Sequence, residues 1–229
     1  MNDRAGPGST TLSGTFLASA AALALVLHEA HELAHTLTGR ALCGGWGPRD
    51  FNSWGLPESC HSWLPTLAGP LFSCAVMWVG FFLLRRPRVT ALPGVALVLM
   101  ANPLGRLFTA VMGGGDEGVL VREWLGLDRG NAARAMAFLL VAGITGPPLL
   151  AAWRALSGIG RPWKFGLLLI LPMVLSGVLL FVLGNRLLAA GVLREPVLLG
   201  APLLVWVVTV LSAVALAVWH EALPRRRRG

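Results

Sequence analysis

The chain is short of charge. Only 13% of its 229 residues are Asp, Glu, Lys or Arg, while 55% are hydrophobic and the mean hydropathy is +0.68. A soluble domain carries about 25% charged residues, so a water-soluble globule is excluded. The apolar runs leave no room for a large extramembrane domain beside them. Of the two charge signs the acids are the scarcer, with 11 Asp and Glu against 19 Lys and Arg. Cysteine is limited to three residues, too few for a disulfide framework. There is no internal repeat, and no low-complexity segment beyond the terminal arginines.

These scarcities set the expected architecture: an all-α, polytopic transmembrane helix bundle of about six spans. The spans are expected at about 15–38, 63–84, 91–112, 131–153, 165–184 and 196–220. A flexible tail over 1–14 precedes a single transmembrane domain over 15–223, and a basic tail over 224–229 follows it. The first apolar run flows directly into polar residues, which reads as a retained span and not a cleaved signal. Asn102-Pro103 breaks the third span, and Pro172 lies inside the fifth. Trp63, Trp153, Trp163 and Trp219 fall near span ends, as interfacial belts do.

The net charge of +8 would suit nucleic acid, but its distribution does not. The basic residues cluster between apolar runs: Arg85, Arg86 and Arg88; Arg154, Arg161 and Lys164; Arg225 to Arg228. With six spans, one side collects eleven Lys and Arg and the other six. By the positive-inside rule both termini are then cytoplasmic, in a multi-pass protein of the cell membrane. The expected partners are a lipid bilayer and a membrane-protein substrate, with no nucleic acid. The loop from Gly39 to Ser62 then faces an oxidising compartment, where Cys43 and Cys60 are candidates to pair. Cys74, inside the second span, is expected to be a packing residue.

Against this background one stretch stands out. Leu27-His28-Glu29-Ala30-His31-Glu32-Leu33-Ala34-His35 ends the first span and holds three of the five histidines. On insertion scales each charged group at mid-membrane costs about 2.5–3.5 kcal/mol. A cluster this dense is hard to explain by packing. On a helix His31 and His35, four apart, share one face. His31-Glu32-Leu33-Ala34-His35 is His-Glu-x-x-His: two zinc ligands and a general base. His28-Glu29-Ala30-His31 is one residue short of that spacing. His28 and Glu29 are therefore candidates for substrate-facing or ligand-supporting roles.

A catalytic zinc site takes three protein ligands, so a third must come from elsewhere. Asp116, after Gly113-Gly114-Gly115 at the end of the third span, is the best-placed acid. Glu117 is the alternative, and His61 a further one. Gly113-Gly114-Gly115-Asp116 also matches a Gly-x-Gly-Asp aspartyl signature. That chemistry needs a second intramembrane Asp, and none of the four aspartates lies in a span. A serine mechanism would want Gly-x-Ser-Gly, and Ser157-Gly158 and Ser176-Gly177 lack the first glycine.

His31-Glu32-Leu33-Ala34-His35-Thr36-Leu37-Thr38-Gly39-Arg40 resembles the first motif of the site-2-protease family of intramembrane zinc metalloproteases. Ala68-Gly69-Pro70-Leu71-Phe72-Ser73 is similar to the Ala-Gly-Pro-Leu stretch that opens a later helix in that family. The family's third motif sets an Asn and prolines before Leu-Asp-Gly, whose Asp is a ligand. This chain has Asn102-Pro103-Leu104-Gly105-Arg106, and its acid comes later, in Gly115-Asp116-Glu117-Gly118. The resemblance covers roughly residues 20 to 125. It implies a single zinc ion on His31, His35 and an acid, with Glu32 as general base, hydrolysing a peptide bond in or near a transmembrane segment. Asn102 is then a candidate to hydrogen-bond substrate backbone or oxyanion, or to tie helices together. Two other functions fit the same residues. One is a non-proteolytic metal transporter or sensor. The other is a zinc-dependent membrane hydrolase of another amide or a lipid.

Overall fold

A computed structural model describes residues 13–86, 91–157 and 162–219. The first twelve residues, the basic tail and parts of two basic clusters (Arg88, Arg161) lie outside them.

Helix α1 runs Gly14–Cys43, 30 residues or about 45 Å at 1.5 Å per residue. Ser13 caps it by accepting from the Phe16 N–H, and Gly44 ends it in the left-handed region at φ 71°. It overruns the expected end at Thr38 because the first left-handed stop signal is Gly44. Helix α2, Leu64–Leu84, starts with Pro65 in its first turn and carries Pro70 inside.

The third span is two helices, α3 over Ala91–Met100 and α4 over Pro103–Met112. Between them Asn102 sits at φ 59°, ψ 49°, and its side chain accepts from the Gly105 N–H to cap α4. Asn tolerates that conformation better than most non-glycine residues, and Pro103 cannot donate to the preceding turn. Helix α5, Gly115–Leu125, occupies most of the expected polar connector. Helix α6 spans Asn131–Ser157 and continues through Pro147 and Pro148.

The fifth span begins as α7, Pro162–Val174, widens into a π-helical segment over Leu175–Gly184, and ends as α8, Asn185–Ala189. The widening starts three residues after Pro172. The expected sixth span is corrected at its start. Pro196–Leu198 (β1) and Ala201–Pro202 (β2) form a short antiparallel hairpin, and helix α9 covers Leu203–Trp219. The described part of α9 has 17 residues, against the roughly 20 needed to cross a bilayer untilted.

The protein is thus an all-α helical bundle. Five stretches are long and apolar enough to span a membrane: Gly14–Cys43, Leu64–Leu84, Ala91–Met112, Asn131–Leu156 and Pro162–Ala189. Their outward faces carry large apolar side chains such as Leu71, Leu139 and Val178, as lipid-facing helices do. Helix α1 packs against α2, α3 and α9, so the polar stretch of α1 is enclosed. Helices α2 and α3 meet at Gly80 and Gly94: a Cβ on Gly80 would lie 2.7 Å from the Gly94 carbonyl oxygen. The main core joins Phe16, Ala20 and Ala24 of α1 to Val95, Leu99 and Met100 of α3 and Leu168 of α7.

Candidate metal centre

His31 and His35 project from successive turns of α1, as their spacing requires, with rings edge-to-face and centroids 4.6 Å apart. Their Nε2 atoms are 3.1 Å apart. Asp116, in the first turn of α5, places Oδ2 3.3 Å from each. Three ligand atoms held about 2.0–2.1 Å from a tetrahedral ion lie about 3.3 Å from one another. The triangle therefore has the size of one face of such a coordination shell. Among the described residues this is the one group of three His, Cys, Asp or Glu side chains able to hold a metal ion.

The far side of each imidazole is also fixed. His35 Nδ1 donates to the Pro65 carbonyl oxygen at 2.6 Å, which leaves the Nε2 lone pair facing inward. His31 Nδ1 lies 3.1 Å from Ser73 Oγ. Both partners are on α2, which presses directly on the pair. A Cβ on Gly69 would lie 2.6 Å from His31 Cε1 and closer still to His35 Nε2. Only glycine lets α2 approach the imidazoles this closely. Trp54, from the loop after α1, stacks on His35 with centroids 4.7 Å apart and planes 14° apart. The donor set fits a zinc ion: two imidazoles, each oriented by an outer partner on α2, and one carboxylate.

Asp116 is carried by helix α5, which lies outside the five apolar stretches.

Glu32 is buried on α1, and its Oε2 has no hydrogen-bond partner among the described residues. It shares a cleft of about 610 Å³ with His31, Asp116, Arg106, Ser176 and Phe181. A larger cavity, about 940 Å³, lies between the loop after α1 and the β-hairpin and is lined by none of the triad. The smaller cleft is the one that His31, Glu32 and Asp116 line.

The remaining candidates are not in the triad. Glu117 turns away from it to pair with Arg106 at 2.5 Å, so the geometry selects Asp116 of the two acids. His61 is exposed and joins no cluster. His28 donates through Nε2 to the Phe51 carbonyl at 2.8 Å, and Glu29 pairs with Arg49 at 2.7 Å. Both support the loop after α1 instead of ligating. Asn102 donates to Ser176 Oγ at 3.3 Å while capping α4, so it ties α4 to the π-helical segment at the cleft wall. Cys43 and Cys60 form a disulfide with Cα atoms 5.7 Å apart.

Four residues packed around the site escaped the sequence reading: Arg49, Trp54, Ser73 and Arg106. Only Arg106 carried a usable signal, as an arginine inside an apolar span, a placement that costs about 2.5–3.5 kcal/mol on insertion scales unless it is partnered. The chain matches no protein-family model, no curated protein and no solved structure.

Proposed function

We propose that the protein is an intramembrane zinc metalloprotease of the site-2-protease type, cutting a peptide bond in or near a transmembrane segment of another membrane protein. The carrying observation is the triangle of His31 Nε2, His35 Nε2 and Asp116 Oδ2, built on a membrane-spanning helix with Glu32 in the same turn.

Zinc bound to this triad would supply Lewis acidity to a scissile carbonyl and to water. Glu32 accepts the proton of the attacking water and returns it to the leaving amine. Its unpartnered Oε2 supports that role, because a structural carboxylate at this depth would be paired. The cleft admits an apolar chain along Leu25, Leu27, Met173 and Phe181, and Trp54, stacked on His35, helps shield the triad from bulk water. Location in the cell membrane with both termini cytoplasmic rests on the distribution of Lys and Arg and requires α9 to make a sixth crossing.

The decisive experiment pairs metal analysis with Glu32→Gln. The variant is expected to retain one zinc per chain, while cleavage of co-expressed single-span membrane proteins falls by about 10²–10⁴, the usual contribution of a general base. A purified wild-type chain without zinc would sink the proposal.

A further inference from the structure

We propose that Arg106 is a positioning residue that locks Asp116 onto the histidine helix and thereby completes the metal centre. The inference rests on the metal-site part of the reading above and is independent of whether the substrate is a peptide.

Asp116 begins a helix that its own backbone does not place. Gly113 and Gly115 sit at φ 75° and 69°, so the connection from α4 to α5 is a glycine hinge with wide conformational choice. Something outside that hinge must hold Asp116 against α1. The adjacent residue, Glu117, is held by Arg106 Nη1 at 2.5 Å. The other arm of the same guanidinium, Nη2, donates to Ser73 Oγ of α2 at 2.7 Å, and the same hydroxyl lies 3.1 Å from His31 Nδ1 and can accept its N–H. One side chain on α4 thus links α5 to α2 directly and to α1 through Ser73, the three helices that build and back the triad.

The chemistry calls for arginine. A planar fork addresses two directions at once, whereas a lysine ammonium on a flexible stem is a single point charge. The pairing with Glu117 is also required electrically. A bare guanidinium beside a cation site would repel the cation, and the Glu117 carboxylate cancels it. Both arms have internal partners, so Arg106 acts through Asp116 and His31 and is not a group aimed at substrate.

The test is zinc affinity of the full-length chain in detergent, measured by competition with a chromophoric chelator. Arg106→Gln and Glu117→Gln are each expected to weaken zinc by about 10–100-fold, the usual cost of removing an outer partner. Arg106→Lys should fall between them and wild type. Because the two residues act as one device, the double variant should be no weaker than the weaker single variant. Ser73→Ala removes one anchor without changing charge, and should weaken zinc by up to about tenfold; it serves should Arg106→Gln fail to fold. Wild-type affinity in both Arg106→Gln and Ser73→Ala would overturn the proposal. So would single losses that multiply in the double variant. A wild-type chain that holds zinc but cuts nothing overturns the protease reading alone. One that holds no zinc overturns both.

Discussion

Two buried Glu–Arg pairs flank the metal centre, and they are built alike but hold different things. Glu29 stands three residues before Glu32 on α1 and meets Arg49 at 2.7 Å. Glu117 follows Asp116 on α5 and meets Arg106 at 2.5 Å. In each case an acid close to a candidate site acid is paired with an arginine from another element. Arg49 comes from the loop between α1 and α2, which the Cys43–Cys60 disulfide closes. Among the described residues its Nε and Nη1 are buried without a partner, as is Arg106 Nε, and Nη2 alone meets the Glu29 carboxylate. Arg106 comes from a capped helix and uses both arms, on Glu117 and Ser73. The first pair is a peg that seats a strap carrying Trp54 against His35; the second is a crosspiece between helices. An ion pair's role here follows from the rigidity of what carries the arginine, not from the pair itself.

The comparison can be broken most forcefully at Arg49. Arg49→Met leaves Glu29 buried and uncompensated, and is expected to cost about 3–5 kcal/mol of stability. Denaturant unfolding in detergent measures the loss. Adding Glu29→Leu should recover most of it, because a buried pair replaced by apolar groups is close to neutral. If Arg49→Met is silent, the strap is not held by this pair. A smaller loss tests the strap from its other end. Cys43→Ser with Cys60→Ser opens a loop of sequence separation 17, expected to cost about 3 kcal/mol in the chain-entropy model. It should also raise protease sensitivity between residues 44 and 62.

The crosspiece is sharpened by the smallest change. Asn102 caps the helix that carries Arg106 and sits at φ 59°. Asn102→Ala should cost about 1–2 kcal/mol through the lost cap and the strained conformation. Asn102→Gly should cost only a few tenths, since glycine accepts that backbone. Equal losses in the two variants would mean that the hydrogen bond to Ser176, and not the cap, is what matters.

Much of the first half of the chain was legible from residue order. His31, Glu32 and His35 lie four or fewer positions apart, so helix geometry alone brings the two imidazoles to one face. The break at Asn102-Pro103 was equally local. The second half was less readable. Nothing in Leu175 to Gly184 signals a π-helical segment, because a widened turn depends on what packs beside it. The hairpin at 196–202 was absorbed into an expected span, since its residues are as apolar as a helix start. Pro147-Pro148 would ordinarily end a helix, yet α6 continues through it.

The sequence by itself determined that this is a helical membrane-type bundle with two converging imidazoles and a carboxylate between their turns. Those properties depend on composition and on spacings within one helix. The tertiary structure decided that Asp116 and not Glu117 completes the triangle, and that Arg49, Arg106, Ser73 and Trp54 hold it in place. Arg106 and His31 are 75 residues apart and Arg49 and Glu29 are 20 apart. No local periodicity relates such positions, and only the packing of α2, α4 and α5 around α1 brings them within hydrogen-bond reach.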